Sequence, residues 1–413
     1  MPESVSAPPA ANPDDGTPED APPSGAAHRL RVTLLMAGSC LPILGAVLIA
    51  PVLPKMQDAF GDTGAAKVLV PLVLTIPALA LALLSPFAGV IVDRLGRKRL
   101  LVVGTVLYAL VGTAPLWLDS LGAIVASRVL VGVTEAAIMT CCTTLIGDYY
   151  SGRVRDRYLA LQTMCSAASA TVFFVLGGAA GSAGWRAPFW LYGVGLLIAP
   201  AMAAVLPSTG PAAADPVERT PRPFPLRRMA GICALTVFGA LVFYTVPVEM
   251  SYLLDDLGVS ATGAIGAATA AASVATVLGS VTFTRLSGST AARLPAVLAV
   301  CAVGFAVMAL AGNAVVLVVG AVINGLGAGV LLPSLLTLAM SRLHFADRGR
   351  GTGLWMAAFF AGEFACPLLM LAGEAAVGTL AASVGLLALA TAVVAAALLL
   401  LSRRAALAPA APE

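Results

Sequence analysis

Twelve long apolar stretches dominate this chain and constrain its fold more than any other feature. A helix that crosses a bilayer needs about 20 mostly apolar residues. Charged residues make up 11% of the 413 residues, whereas a soluble domain carries about a quarter. We therefore predict an all-α membrane protein with twelve transmembrane helices. The predicted spans are 32–54, 67–91, 100–118, 121–147, 158–181, 185–206, 229–254, 262–286, 294–311, 314–341, 351–373 and 377–402.

The spans form two groups of six, separated by a proline-rich and charged linker that contains Arg219 and Arg222. Two six-helix repeats with a site between them are a common layout of transporters. The N-terminal stretch is rich in Pro, Ala and acidic residues and lacks aromatic residues, which is typical of a disordered tail rather than a signal peptide. The predicted units are a disordered cytoplasmic tail at 1–28, an N-terminal bundle at 29–206, a cytoplasmic linker at 207–228, a C-terminal bundle at 229–404 and a cytoplasmic tail at 405–413.

The distribution of basic residues predicts the orientation in the membrane. If the N-terminus is cytoplasmic, twenty Lys and Arg residues fall in cytoplasmic segments and three, Lys55, Lys67 and Arg186, fall outside. Cytoplasmic loops carry such an excess of positive charge. Both termini are therefore predicted to face the cytoplasm of a multi-pass protein in the cell (plasma) membrane. The net charge of +3 follows from these loop arginines and does not indicate nucleic-acid binding.

A glycine-rich and basic motif lies between the second and third spans. It reads GVIVDRLGRKRLL from Gly89 to Leu101. Gly89 is expected to let the second helix pack closely against a neighbour, Asp93 and Arg97 are spaced to pair, and Gly96 permits a tight turn. The motif resembles the signature loop of the major facilitator superfamily, and it lies in the first inner loop, where that family carries it.

The resemblance extends over nearly the whole chain after residue 28. The fourth span reads RVLVGVTEAA from Arg128, similar to a family segment, and Asp148 and Arg155 have the family's spacing after it. The fifth span has Gly177-Gly178 but lacks the Gly-Pro of drug/proton antiporters, which weakens the case for export. The resemblance implies two six-helix bundles and a charge cluster that closes the cytoplasmic side in the outward-facing state. The gating residues it implies are Gly89, Asp93, Arg94, Gly96, Arg97, Asp148 and Arg155.

Ionisable residues at bilayer depth are costly, so Arg128, Glu135, Glu363 and Glu249 are candidates for proton coupling or for the substrate cavity. Arg128 and Glu135 are seven residues apart on one face of the fourth span and are expected to line a cavity, although they could instead form a structural polar lock. Glu363 lies near the centre of the eleventh span, with Trp355 and Phe359 preceding it on the same helix face. Glu249 lies near the outer end of the seventh span and could be either functional or interfacial.

Several forms of chemistry have no visible motif in the sequence. None of the three lysines follows a glycine, so no Walker A loop can be written, and His28 and His344 are too few for a His-based zinc site. The seven cysteines form no CxxC pair and are interpreted as packing residues. We therefore predict no cofactor, no metal and no enzymatic activity.

Three functions remain as hypotheses. The first is proton-coupled efflux of a small amphipathic drug or secondary metabolite by alternating access, which would make the protein an antiporter. The second is import of an organic anion or nutrient on the same fold, favoured by Arg128. The third, a membrane-embedded enzyme or receptor, lacks a supporting motif. The predicted partners are a small-molecule substrate, protons and the lipid bilayer, without nucleic acid, and the predicted state is a monomer.

Overall fold

The computed structural model describes residues 25–61, 64–208, 226–286, 290–344 and 347–407. Within these residues twelve helices are long and apolar enough to cross a membrane, which confirms the predicted number. Spans 1 to 6 contain the helices Ala26–Val47 with Leu53–Ala59, Ala66–Leu84, Arg97–Thr113, Leu121–Tyr149, Gly152–Gly181 and Val194–Val205. Spans 7 to 12 contain Leu226–Asp256, Thr262–Arg285, Thr290–Ala309, Ala314–Ser341, Arg348–Val377 and Leu380–Leu407.

Proline interrupts the first two spans. Span 1 is divided by a 3-10 turn at Ala50–Val52, where Pro51 and Pro54 lack the N–H groups that a continuous helix needs. Span 2 ends at Leu84 and a separate helix, Ala88–Leu95, follows. The predicted continuous span at 67–91 is therefore wrong at its end, because the helix breaks between Leu84 and Ala88, around Pro86, which has no N–H for a helical hydrogen bond.

Because the number of spans is even, the start of the first span and the end of the last lie on the same side of the bilayer. We call it the terminus side and the other the far side. Spans 1 to 6 and spans 7 to 12 are called the two halves. They meet at the far side, where Lys67 of span 2 pairs with Glu374 of span 11 at 2.9 Å, and also nearer the middle of the spans, where Tyr244 of span 7 donates to the Ala46 carbonyl of span 1 at 2.6 Å. In this conformation, contacts between the halves close the far side.

Two sequence predictions extend beyond the described residues. Most of the predicted linker, including Arg219 and Arg222, most of the tail at 1–28 and nearly all of the tail at 405–413 lie outside them. The division into two bundles and a linker stays a prediction, and so does the cytoplasmic assignment of the terminus side.

Candidate substrate cavity

A cavity of about 370 Å³ lies at the centre of the molecule, between the two halves. Residues of spans 1, 2, 4, 5, 7, 8, 10 and 11 line it, so four spans from each half contribute to the wall. The volume falls in the range of about 300–1,000 Å³ that is usual for small-molecule sites. Most of the lining is apolar, and the polar side chains include Tyr244, Ser273, Thr276 and Asn324.

Two carboxyl groups reach this cavity from opposite halves. Glu135 comes from span 4 and Glu363 from span 11, and both side chains are otherwise buried. No Lys, Arg or His is among the described residues that line the cavity. The charge that the cavity can carry is therefore negative or zero, depending on the protonation of these two groups.

Aromatic rings form one wall of the cavity. Phe359 and Phe360 of span 11 face Phe243 of span 7, and the rings of Phe243 and Phe359 are 6.1 Å apart. Trp355, predicted as a cavity aromatic, is not a lining residue. Its ring stacks on Phe359 at 5.7 Å with an interplanar angle of 9°, so Trp355 supports Phe359 from behind.

Arg128 lies outside the cavity wall, contrary to the expectation that it lines the cavity with Glu135. The side chain is fully buried, its Nε donates to the Val73 carbonyl at 3.1 Å, and its Nη2 donates to the Gly45 carbonyl at 2.9 Å. The guanidinium also lies over the ring of Tyr192, 5.0 Å from the centroid. Arg128 therefore ties span 4 to the backbones of spans 1 and 2.

A proline explains why the backbone of span 2 can accept this bond. Pro77 has no N–H, so the carbonyl four residues earlier, at Val73, loses its helical donor. In a bilayer such a carbonyl must find another partner, and Arg128 supplies it. The arrangement matches the structural polar lock that the sequence left open, although the partners are carbonyl groups rather than Glu135.

The carboxyl group of Glu135 packs against span 1 at Gly45. A Cβ atom at position 45 would overlap Glu135 Oε1, and that oxygen is buried without a hydrogen-bond partner. The Gly45 carbonyl meanwhile accepts the bond from Arg128. Glycine at position 45 therefore lets the carboxyl group and the guanidinium approach the same turn of span 1 without forming an ion pair.

Glu249 lies away from the cavity. Its side chain is 5% exposed, and it does not line the cavity wall. It follows Thr245 by one helical turn, and Thr245 contacts Cys366 of span 11 at 3.6 Å. The side of span 7 that carries Glu249 therefore faces span 11.

The predicted gating residues lie on the terminus side and form a smaller cluster than expected. Arg97 Nη2 pairs with Asp93 at 2.7 Å and Arg97 Nη1 pairs with Asp148 of span 4. Gly96 has φ 83°, which provides the turn between the two helices. Arg155 does not join this group; its Nε is 3.7 Å from its neighbour Asp156, and both side chains are largely exposed.

Two other residues of the motif make less contact than the sequence suggested. Gly89 is exposed and an added Cβ would have no atom within 4 Å, so the predicted close packing at Gly89 is wrong. Gly89 lies on the short helix that follows the break at Pro86, and of that helix only Val92 is buried. Arg94 lies on the same short helix and is exposed.

The sequence analysis missed three lining residues that shape the site. Tyr244, Phe243 and Asn324 all lie on the cavity wall. Asn324 is a polar residue in the middle of span 10, and its amide donates to the Cys301 carbonyl at 3.4 Å. A lone amide at bilayer depth was a usable signal, whereas Phe243 and Tyr244 cannot be told from lipid-facing aromatics without the helix orientation.

The described residues thus form twelve apolar helices around a cavity of the size usual for small-molecule sites. The chain belongs to the Major Facilitator Superfamily, whose family model matches residues 35–247, just over half of it. It is therefore a transporter and a multi-pass protein of the cell membrane, as predicted. The predicted family and fold are both confirmed.

Curated relatives carry names related to drug resistance. Multidrug resistance protein 2 of Bacillus subtilis is 31% identical over 173 residues, which covers 40% of this chain and 41% of the relative. The quinolone resistance protein NorA of Staphylococcus aureus is 27% identical over 165 residues, or 40% and 41% of the two chains. The matches thus span about two fifths of the length of these relatives.

Solved structures with the same fold cover nearly the whole chain. A bacterial homologue of the human lysosomal transporter Spinster, in an inward-facing and occupied conformation, aligns with a TM-score of 0.72 at 16% identity, over 92% of this chain and 98% of that one. The human organic anion transporter MFSD10 (TETRAN) aligns with a TM-score of 0.65 at 16% identity, over 91% and 100%. At these identities the likeness concerns the fold alone.

Proposed function

We propose that this protein exports a small amphipathic compound, neutral or cationic, in exchange for protons. The observation that carries the proposal is the composition of the central cavity. Aromatic and aliphatic side chains form its wall, Glu135 and Glu363 supply its charge, and no basic side chain is among its described lining residues. An apolar body with a positive or neutral head complements such a cavity, because a cation is attracted by both carboxylates and aromatic faces.

Competition between substrate and proton would provide the coupling. An ionised carboxylate is costly at bilayer depth unless a partner compensates it. A bound cation compensates Glu135 or Glu363, and a bound proton removes the charge. Each carboxyl group therefore favours occupancy by one or the other, which is what exchange requires. The solute is carried when the halves rock about the cavity. The Arg97 cluster joins the start of span 3 to the terminus-side end of span 4, and we propose that it supports the gate on the terminus side.

The comparisons support the export direction. The curated relatives named above are resistance proteins, and removal of a toxic compound from the cytoplasm is the simplest reason for such names. With the terminus side in the cytoplasm, the present conformation, closed at the far side, is the one that would accept substrate from inside the cell.

Import of an organic anion, the alternative raised by the sequence, is less well supported. The sequence favoured it through Arg128 as a cavity residue and through the missing Gly-Pro in the fifth span. Arg128 is instead bound to two backbone carbonyls behind the wall. One solved structure of similar fold is titled as an organic anion transporter, but its likeness to this chain extends to the fold alone. An anion in the cavity would face two acidic side chains without a basic partner.

Transport in inverted membrane vesicles tests the proposal. Vesicles that contain the protein should accumulate a lipophilic cation, tetraphenylphosphonium, when their interior is acidic, and collapsing the proton gradient should abolish accumulation. Glu363→Gln and Glu135→Gln should each impair gradient-driven transport because the side chain can no longer lose a proton. Asp58→Asn, at an exposed carboxylate on the far side, serves as the matched control. Accumulation that persists without a gradient would refute proton coupling, and accumulation of organic anions instead of the cation would favour the importer.

A further inference from the structure

Glu249 is a buried carboxyl group that does not line the cavity. It lies in span 7 with 5% exposure and is absent from the cavity wall. The titratable groups that act on it electrostatically are Tyr252 of its own helix and Cys366 and Glu374 of span 11. No basic group is among these neighbours. A carboxylate at this position therefore has no charge partner in the far-side-closed conformation.

The register of spans 7 and 11 places Glu249 between the cavity and the far side. Both helices run from the terminus side to the far side, and the contact of Thr245 with Cys366 sets them level. At a rise of about 1.5 Å per residue, Glu363 lies about 4.5 Å below that level, Glu249 about 6 Å above it and Glu374 about 12 Å above it. Along the membrane normal, Glu249 thus lies between Glu363 of the cavity and the far surface.

A buried polar atom without a partner lies near Glu249. Tyr252 Oη, three residues further along span 7, is buried, interacts electrostatically with Glu249 and has no hydrogen-bond partner in the described structure. Buried hydroxyl groups are normally satisfied by protein or by ordered water. The unsatisfied hydroxyl of Tyr252 is therefore a place where a water molecule can bind close to Glu249 when the far side opens.

The far side is closed directly above Glu249. Lys67 of span 2 pairs there with Glu374 of span 11, and Asp256 of span 7 lies within electrostatic range of both. The pair joins the two halves, so the far side cannot open without separating it. Opening would bring water to Glu249, and closing removes that water.

We propose that Glu249 is a second proton-binding carboxyl group of the transport cycle, and that the far side closes over it only after it has taken a proton from that side. A charge without a partner is strongly disfavoured at this depth, whereas a neutral carboxyl group is tolerated. The inference rests on the proton coupling proposed above and adds a site to it. Glu363 responds to substrate, and Glu249 couples protonation to the conformation.

The proton follows a balanced route. While the far side is open, water delivers a proton to the Glu249 carboxylate, and one O–H bond breaks in hydronium as another forms on the carboxyl group. After closure, Glu249 passes the proton through water molecules to the ionised Glu363, about 10 Å away along the axis. Glu249 is then charged and buried, which favours reopening of the far side once the substrate has entered the cavity.

Hydrogen–deuterium exchange of the purified full-length protein tests this without any substrate. The Glu249→Gln variant and the wild type are compared at about pH 6 and about pH 9, within each pH so that the intrinsic exchange rate cancels. The peptides of interest cover the far-side ends of spans 1, 2, 7 and 11. At the higher pH, Glu249→Gln should exchange about tenfold more slowly than the wild type, because its neutral side chain keeps the far side closed. At the lower pH the two should coincide.

The sign of the effect separates this role from a structural one. A variant that merely damages packing exchanges faster at both pH values, so equal or faster exchange at the higher pH overturns the proposal. Glu249→Asp should restore the pH dependence, and it supplies the decisive comparison if Glu249→Gln does not fold. Asp255→Asn, at an exposed carboxylate near the end of the same span, should match the wild type throughout.

Transport distinguishes this proposal from the function on which it rests. Proteoliposomes with Glu249→Gln should lose gradient-driven tetraphenylphosphonium transport while binding of the cation remains within about twofold of the wild type. Wild-type liposomes that fail to use a proton gradient would contradict the proposed function, whatever the exchange data show. Normal gradient-driven transport by Glu249→Gln would contradict the role of Glu249 alone.

Discussion

Spans 5 and 8 contact each other at a pair of glycines, and substitution of one of them should oppose closure of the far side. Gly178 and Gly266 bring the backbones of the two halves together near the far side. A Cβ atom at position 266 would lie 2.5 Å from the Phe174 carbonyl oxygen and 3.0 Å from the Gly178 Cα atom. Ordinary contacts between such atoms are about 3.5–4.0 Å. Gly266→Ala therefore creates an overlap of about 1 Å against backbone, which no side-chain rotation can relieve.

The overlap exists only while the far side is closed. Overpacking of this kind costs about 1–3 kcal/mol, and the cost disappears when the halves separate. The gain in helix propensity from alanine is the same in both conformations and cancels. The equilibrium should therefore shift toward the far-side-open state by about 5- to 150-fold. Transport should slow because the return to the closed state is opposed.

Gly263 provides the matched control. It lies one turn earlier in span 8, where an added Cβ would have no atom within 4 Å. Double electron–electron resonance between spin labels at Ser182 and Ser260 measures the populations of the far-side-open and far-side-closed states. Both positions are exposed, lie at the far side and belong to different halves. The labels require a background in which the seven native cysteines are replaced. Identical distance distributions for Gly266→Ala and Gly263→Ala would refute the reasoning.

Three further predictions follow from the buried charges and rings. Arg128→Met leaves the Val73 carbonyl without a donor, at about 1–3 kcal/mol, and leaves Gly45 with only the Tyr192 hydroxyl, so the melting temperature in detergent should fall; an unchanged melting curve would show that these bonds contribute nothing net. Phe359→Ala removes a cavity ring and should weaken tetraphenylphosphonium binding by about 0.5–2 kcal/mol, measured by equilibrium dialysis, and equal affinity would exclude this ring from the binding wall. Arg97→Gln should slow transport in vesicles while Arg155→Gln should not, since Arg155 contacts neither acid of the cluster; equal slowing by both would contradict the cluster as described.

The spans were predictable from sequence because their signals are local. Hydrophobic length and loop charge are read along the chain, and they gave all twelve helices in the right places. The end of span 2 was missed because apolar residues continue past Pro86 although the helix does not. The wrong prediction of close packing at Gly89 has the same cause, since Gly89 lies on the separate short helix after that break.

Membership of the cavity was only partly predictable. Helical spacing shows which residues share a face, and Glu135, Glu363 and Phe359 do lie on the cavity wall. It does not show which neighbour that face meets. Arg128 shares a face with Glu135, yet spans 1, 2 and 6 enclose the guanidinium while the carboxyl group reaches the cavity. Packing between distant helices decided the difference.

The prolines link a signal that is local in the sequence to contacts between distant helices. A proline inside a helix leaves the carbonyl four residues earlier without its helical donor. Pro333 does so at Gly329, which accepts from Ser280 of span 8 at 2.9 Å, and Pro77 does so where Arg128 donates. A polar side chain that appears expensive at bilayer depth can thus be the donor that a distant proline requires.

This pairing also explains why the cavity is acidic. The charge of Arg128 is stabilised by carbonyl dipoles and an aromatic face, so it forms no ion pair with Glu135 among the described side chains. Arg128 remains within electrostatic range of Glu135 but is not hydrogen-bonded to it, so it compensates an ionised Glu135 only in part. In the proposed cycle a proton or a positively charged solute supplies the rest. Had the same arginine formed a direct ion pair with Glu135, the carboxyl group would be held ionised and could not exchange protons. The engagement of Arg128 by carbonyl dipoles is therefore what would leave Glu135 able to exchange protons in the proposed cycle.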